Sequence, residues 1–590
     1  MTTLRGMVIA ALLSLYCLAA PAGAATIEHP AGSLIILCYH DVVDDVRDHD
    51  DRYSVDLHRF AEQLSWLKEA GYTPVSLGDV LAARTGGKPL PAKPVLLTFD
   101  DGHRSVYTHV FPLLKLFNYP AVIALVGKWM DGKPGETLSY ADRPTPRDHF
   151  LAWSEVREMI ASGLVEVASH SYDLHQGLVA NPQGNTVPAA VTRVFDATTG
   201  RYEAEEAYRV RIERDLKRNA DLIARETGTR PRAMVWPFGA YSMGTASIAE
   251  SLGMEIGLTL DDGVNRPNQP LSTLKRVLIG HNPNLPNFIG ELLAPQPTPR
   301  RAMRIDLEDV LDASPQTQEE KLSRLLDRID SLKPNVIYLQ AFADTDGDGI
   351  ADALYFPNRN LPMRASLFSR VARQIQTRIE IDVYAWMPVD AFAIADDGDR
   401  AQRIVEIYQD LGRHVPLDGL LFQDPIAFKG AATHSPTHID ALATAVARFS
   451  APIKFAVAPG PDTVDEWMSR AVAAARTTTS GHWLDHVTIR ESLAANGAKG
   501  KIGVHERISM LKEADPEGAT RIVIELEAAP AKGTSDASIE AASHRVAARM
   551  RELELAGILS FGYAPDRPGS DFPRLQIVKP AMSLRTFPLR

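Results

Sequence analysis

The feature that most constrains the fold is a repeated alternation of short apolar runs with helical stretches. In the first half the runs "SLIILCY", "VLLTF", "AVIALV", "LVEVAS", "AMVWP" and "EIGLTL" have strand character. Between the first two lies "RFAEQLSWLKEAGY", whose apolar residues recur at helical spacing and which stops at Gly71. Strands that alternate with helices imply a parallel sheet, either a barrel or a doubly wound sheet. In both, chemistry gathers at the C-terminal ends of the strands. At 590 residues the chain exceeds one ordinary core. Three prolines in "APQPTPRR", Ala294 to Arg301, interrupt the rhythm. It then restarts through "NVIYLQAF", "IEIDVYAWMP", "LDGLLFQD", "IKFAVAP", "HVTIR", "RIVIELEA" and "GILSFGYAP". The expected division is a first domain over 26–293, a linker over 294–302 and a second, barrel-like domain over 303–590. The segment Asn181–Arg201, rich in Gly, Asn, Thr and Pro, reads as a surface loop over the first domain's mouth.

The N-terminus does not belong to this pattern. An Arg near the start, the run "MVIAALLSLYCLAA" and the small residues of "PAGAAT" read as a secretory signal over residues 1–25. Tyr16 before Cys17 is too bulky for a lipoprotein cleavage site, so no lipid anchor is expected. Nothing later reads as a membrane span. Removal of the leader takes Cys17 and leaves Cys38 alone, which excludes an intramolecular disulfide. A composition of 45% hydrophobic and 23% charged residues is that of a globular protein. The net charge of −11 argues against nucleic acid and anionic membranes as partners and suits a neutral or cationic polymer.

Two carboxylates stand side by side after the apolar run of "VLLTFDDGHRS". Asp-Gly is a turn signal, which explains Asp101-Gly102 and leaves Asp100 without a purpose. Adjacent negative charges raise each other's pKa unless something positive separates them. The later strand end "VASHSYDLH" supplies His170 and His175. Two His and one Asp form a ligand set with an open position for water, and the other Asp is then free as a general base.

These residues also carry a resemblance. "TFDDG" followed by "SHSYDLH" resembles the polysaccharide deacetylase (NodB-like) superfamily over roughly the whole first domain. The resemblance implies a base at Asp100 and ligands at Asp101, His170 and His175 for a divalent metal: Zn, Ni or Co. "LCYHDV", "VWPFG" and "FADTDGDGIADALYFPNR" are similar to one branch, the PgaB-type poly-β-1,6-N-acetyl-D-glucosamine N-deacetylases. That branch implies an α/β chain of two barrels, an N-terminal deacetylase barrel and a C-terminal glycoside-hydrolase-like barrel. It further implies a periplasmic enzyme acting on poly-N-acetylglucosamine during biofilm export, with outer-membrane export machinery as a partner. His40, in "LCYHDV", becomes the acid that protonates the departing amine, with His281 in "LIGHNP" as a rival. Asp41 could orient His40 or cap a turn. Trp236, Pro237 and Phe238 wall the sugar cleft, with ordinary barrel packing as the competing reading for Trp236. A serine-esterase reading of "AYSMG" fails, since it begins with Ala and has no Asp-His partners in order. The rival from another class is a non-catalytic periplasmic polysaccharide-binding or chaperone protein; the intact Asp-Asp and His-His set argues against it.

In the second half "DTDGDGIAD" resembles the start of a calcium loop, but Tyr355 stands where a bidentate Glu belongs. Asp424 ends the strand of "LDGLLFQD", at a position that looks catalytic in the related hydrolases. Those proteins usually carry His-Asp-Asp where this chain has Gln423-Asp424-Pro425. Glycosidase chemistry needs two carboxyls, and Glu525, Glu527 and Asp566 are the candidates for the second. Tyr384, Trp386 and Tyr563, with acidic groups, are expected to bind a partially deacetylated, cationic polymer.

Overall fold

The computed structural model describes residues 32–48, 52–140, 143–293, 299–423, 436–451, 453, 454–460, 464–473, 482–493, 521–528, 536–555, 558, 560–565 and 575–582. The expected signal (1–25), Asp424, Asp566 and most of the expected linker lie outside them.

The first domain is a curled parallel sheet of eight strands: β1 (Ile35–Tyr39), β2 (Thr73–Pro74), β3 (Pro94–Phe99), β4 (Ala121–Leu125), β5 (Val165–Ser169), β6 (Ala233–Val235), β7 (Ile256–Leu258) and β8 (Val277–Leu278). Their order is β7-β6-β5-β4-β3-β1-β8, with β2 on β3. Side chains alternate along each strand, so Leu37, Leu97 and Ile123 enter one buried cluster while Ile36, Leu96 and Val122 enter another. Both faces are covered, which is why these strands read as continuous apolar runs. The helix Leu57–Glu69 buries Phe60, Leu64 and Leu67 on one face, and Gly71 follows it with φ +78°. The segment expected as a loop over the mouth instead pairs into two short hairpins, Gly177–Val179 with Thr186–Pro188 and Phe195–Asp196 with Arg201–Tyr202.

The second domain is a closed parallel barrel of β9 (Arg301–Ile305), β10 (Val336–Gln340), β11 (Asp382–Pro388), β12 (Gly419–Gln423), β13 (Ile453–Ala458), β14 (His482–Ser492), β15 (Ile522–Ala528) and β16 (Phe561–Pro565). β9 begins inside the segment expected as linker. Its sequence, "RAMRI", hides its buried position behind two arginines. Tyr338, Tyr384, Leu421 and Val523 fill the barrel interior. Tyr384 therefore does not line a groove: it is 1% exposed, and its hydroxyl donates to Asp485 Oδ2 at 2.7 Å. A Cβ at Gly419 would stand 2.5 Å from its ring, so that strand position accepts only glycine beside this tyrosine. Tyr563 is likewise 1% exposed, in the outer core cluster. In the calcium-like loop, Asp344 accepts backbone N–H groups of Gly347, Asp348 and Gly349. Tyr355 turns its hydroxyl to Glu308.

The barrels meet through polar and aromatic contacts. Gln183 donates to the Ser366 carbonyl at 2.7 Å, Met243 N–H to Ser450 at 3.1 Å, and the rings of Tyr202 and His414 pack edge to face. Burial lowers the pKa of His414 to about 4, helped by Arg193, Arg413 and Arg359 and opposed by Asp410. A histidine depressed in the folded state stabilises fully above its unfolded pKa of about 6.5 and loses that stability as pH falls toward 4. This one group accounts for at most about 3 kcal/mol. We expect the thermal midpoint to fall between pH 6.5 and 4.5, and His414→Gln to show a flatter slope across the same range.

Candidate active site at the mouth of the first barrel

β3 ends at Phe99, so Asp100 and Asp101 emerge together at the C-terminal edge of the sheet. Their side chains diverge because Asp101 takes a left-handed backbone, φ +72°, followed by Gly102 at +75°. For a non-glycine residue this costs about 1–2 kcal/mol, and aspartate is among the few that tolerate it. Ser171 after His170 (φ +67°) and Phe238 (φ +58°) repeat the device around the same mouth. Backbone strain of this kind clusters where side chains must be aimed.

Asp100 meets Arg276. The guanidinium donates to both carboxylate oxygens, at 2.7 and 2.8 Å, and also to Thr98 Oγ1 and the Thr259 carbonyl. Both partners are buried. Burial pushes the Asp100 pKa up, but the charge of Arg276, with His170 and hydrogen bonds, outweighs it and leaves the group at about 2. Cys38 Sγ lies 3.4 Å from Asp100 Oδ2. Asp101 points the other way. Its Oδ2 accepts from the Tyr140 hydroxyl at 3.0 Å, while Oδ1 is buried without a hydrogen bond and faces His170 Nε2 at 3.3 Å and His175 Nε2 at 3.2 Å. His170 Nδ1–H donates to the Val235 carbonyl at 2.8 Å, which leaves the Nε2 lone pair toward Asp101. Burial raises the Asp101 pKa, but His175, His103 and His170 hold it well below the usual carboxylate range. One unpartnered carboxylate oxygen and two imidazole nitrogens converging on it are a donor set that fits a divalent ion.

The turn that carries the two histidines is held from the helix Glu205–Thr227. Asp215 accepts the backbone N–H groups of Tyr172 and Asp173, each at 2.8 Å. Burial raises its pKa to about 6 against those two bonds. His40 stacks on Tyr53 at 5.0 Å, and one of its ring nitrogens lies within 4.8 Å of an Asp100 oxygen and of Cys38 Sγ. Its Nδ1 is buried without a partner. Burial lowers its pKa while Asp101 and Asp100 oppose. His281, the rival, is exposed. Asp41 does not orient His40; its Oδ1 accepts from Ser105 Oγ.

Of the expected cleft walls only Phe238 stands in the opening: it is 51% exposed, with its ring 4.3 Å from that of His175. Trp236 is 1% exposed and packs in a core cluster with Tyr241, and Pro237 is buried. The barrel-packing reading is the correct one for Trp236. Sequence reading missed Arg276, Tyr140 and Asp215. The only local signal for Arg276 is a cation directly before a short apolar strand, in "LKRVLIG".

At the mouth of the second barrel, Glu525 is buried and held by Arg304 at 2.8 and 2.7 Å and by Arg490 at 3.3 Å. Burial raises its pKa, but the two arginines win and lower it. A carboxylate so paired is held in its ionised form. Glu527 pairs with Arg490 at 3.1 Å. The Gln423 side-chain oxygen accepts from Arg304 at 3.0 Å and Arg490 at 3.1 Å. Arg304 also covers the face of Trp386 at 4.0 Å, so this tryptophan stands at the mouth with one face already stacked.

Residues 87–257 match the family described as polysaccharide deacetylase, and residues 304–403 one described as hypothetical glycosyl hydrolase family 13. The chain is 37% identical over 426 residues to a poly-β-1,6-N-acetyl-D-glucosamine N-deacetylase of Escherichia coli (strain K12). That alignment covers 67% of this chain and 63% of the relative, so the chain spans just under two thirds of the relative's length. A protein of the same name from Staphylococcus aureus (strain MSSA476) is 24% identical over 227 residues, 38% of this chain and 68% of its own. Among solved structures, the BpsB deacetylase domain from Bordetella bronchiseptica is 42% identical, with a TM-score of 0.39, over 42% of this chain and 97% of that one. The PgaB (BpsB) glycoside hydrolase domain from the same organism is 24% identical, with a TM-score of 0.37, over 48% and 99%. Among the described residues no helix is long and apolar enough to cross a membrane.

Arg276→Met leaves Asp100 as an uncompensated buried charge, and we expect a loss of about 3–5 kcal/mol in chemical unfolding. Pairing that change with Asp100→Leu should recover most of the loss, because the orphaned charge is then removed as well.

Proposed function

We propose that the chain is a PgaB-type polysaccharide deacetylase joined to a glycoside-hydrolase-like domain, and that it removes N-acetyl groups from poly-β-1,6-N-acetyl-D-glucosamine. The observation that carries this reading is the buried, unpartnered Oδ1 of Asp101 facing two imidazole nitrogens, with an ionised Asp100 beside it. Asp101, His170 and His175 would hold a divalent ion: Zn, Ni or Co. When bound, such an ion supplies polarisation of the acetyl carbonyl and a water acidic enough to attack near neutral pH.

The chain's own residues do the rest. Asp100 takes the proton of the attacking water on its carboxylate, and Arg276 keeps that carboxylate charged and in one orientation. Tyr140 holds Asp101 Oδ2, so that Oδ1 faces His170 and His175. His40 protonates the departing amine. Its neutral resting form takes up, by way of one bridging water, the proton that Asp100 accepts; the two groups lie within 4.8 Å of each other. Phe238 packs an apolar ring against a sugar face at the rim. Residues 1–25 direct export, and the enzyme works in the periplasm on polymer moving toward outer-membrane export machinery. The non-catalytic alternative is disfavoured because a binding protein has no use for a strained aspartate aimed at two histidines.

For the second barrel we infer recognition of the partially deacetylated polymer rather than its cleavage. Glu525 is committed to two arginines, and Asp424 by itself cannot act both as acid and as nucleophile.

Acetate release from β-1,6-linked N-acetylglucosamine oligomers tests the first proposal. Chelation should abolish it and one divalent ion restore it. Asp100→Asn and His40→Ala should each reduce turnover by ~10²–10⁴-fold with metal still bound, while Asp101→Asn and His175→Ala lose the metal. If His281→Ala is the damaging change and His40→Ala is harmless, the two histidines exchange roles. The second proposal is tested by incubating full-length Asp100→Asn protein with partially deacetylated oligomers. We expect binding without shortened products; products that vanish on adding Asp424→Asn would establish a hydrolase instead.

A further inference from the structure

A second group of metal-ligating side chains sits beside the first and is not used by the chemistry above. Asp41 follows β1, His103 follows the Asp-Asp-Gly turn, and His149 ends the short helical turn Arg147–His149. His103 Nδ1 lies 3.0 Å from His149 Nε2 and 4.0 Å from Asp41 Oδ2, and His149 Nε2 lies 3.8 Å from the same oxygen. The point equidistant from three atoms with these separations is about 2.1 Å from each, the length of a zinc–nitrogen or zinc–oxygen bond.

The three groups are also oriented from behind. Ser105 Oγ donates to the other oxygen of Asp41. Arg104 N–H donates to the His149 carbonyl at 2.8 Å, and a backbone bridge joins His103 to Phe150, so the two histidine segments are locked in register. Phe150 stacks on the His103 ring. The side chains of Asp41 and His103 are buried, whereas His149 is 36% exposed and leaves an open side for an ion to enter and for water as a fourth ligand.

We propose that Asp41, His103 and His149 form a second divalent-cation site, suited by its two imidazoles and one carboxylate to Zn²⁺ or a similar borderline ion. A cation on His103 Nδ1 fixes that ring's proton on Nε2. There it faces Asp101 Oδ2 at 3.6 Å and the Tyr140 hydroxyl at 3.2 Å. Filling the second site thereby orients a ligand of the first.

The test is stoichiometry on the full chain. The protein is stripped with chelator, titrated with Zn²⁺, freed of excess and analysed by mass spectrometry of bound metal. Wild type should hold two equivalents. His149→Ala and, independently, Asp41→Asn should each hold one, with circular dichroism unchanged, and His175→Ala should also hold one. The double variant His149→Ala/His175→Ala should hold none. A wild-type chain that saturates at one equivalent, or a His149→Ala chain that keeps two, overturns the second site without touching the reading of the first.

Discussion

The buried pair of Asp100 and Arg276 is the interaction on which the first domain's mouth depends. β7 and β8 stand at the two ends of the sheet order. Arg276 precedes β8, and its guanidinium reaches the Thr259 carbonyl just past β7 as well as Thr98 on β3 and Asp100 just after it. One side chain thus ties the two ends of the curled sheet to its middle. A buried ion pair adds little net stability over an apolar packing, but breaking one partner is costly. Its use here is positional: it holds a carboxylate charged and still inside an apolar wall.

Around that anchor, direction is set by strained turns. Asp101, Ser171 and Phe238 each accept a left-handed backbone, and each turns a functional side chain or its neighbour toward the opening. Asp215, Tyr140 and the Val235 carbonyl then hold the turns and rings from behind. The free energy spent on strain is recovered from the packed strands on both faces, which is why the turns sit at strand ends and not in free loops.

The second barrel solves its mouth differently. Arg304, Arg490, Glu525, Glu527 and Gln423 compose a closed network of ion pairs and hydrogen bonds over Trp386. Each of these four charges has a partner of opposite sign. Within this set of side chains the charges balance.

The alternation of apolar runs and helices, and the two motifs Asp100-Asp101 and His170…His175, were legible from the residues because each is local: strand period, turn chemistry and ligand type are all written within a few positions. The strands β2 and β8 have two residues each, too short to show a period, and β9 was hidden because its arginines point where only the closed barrel makes them buried. Trp236 and Tyr384 have the residue type of a cleft wall, yet they are core, since burial is a property of what surrounds a side chain. The sequence by itself determined a parallel α/β architecture in two parts and the donor types of the site. Only the tertiary structure decided which carboxylate meets Arg276, 176 positions away, and which meets the histidines. It alone brought Asp41, His103 and His149 within ligand distance. The physical reason is that a pKa, an ion pair and a coordination geometry depend on separations of a few ångströms, and chain spacing says nothing about those until the sheet has curled.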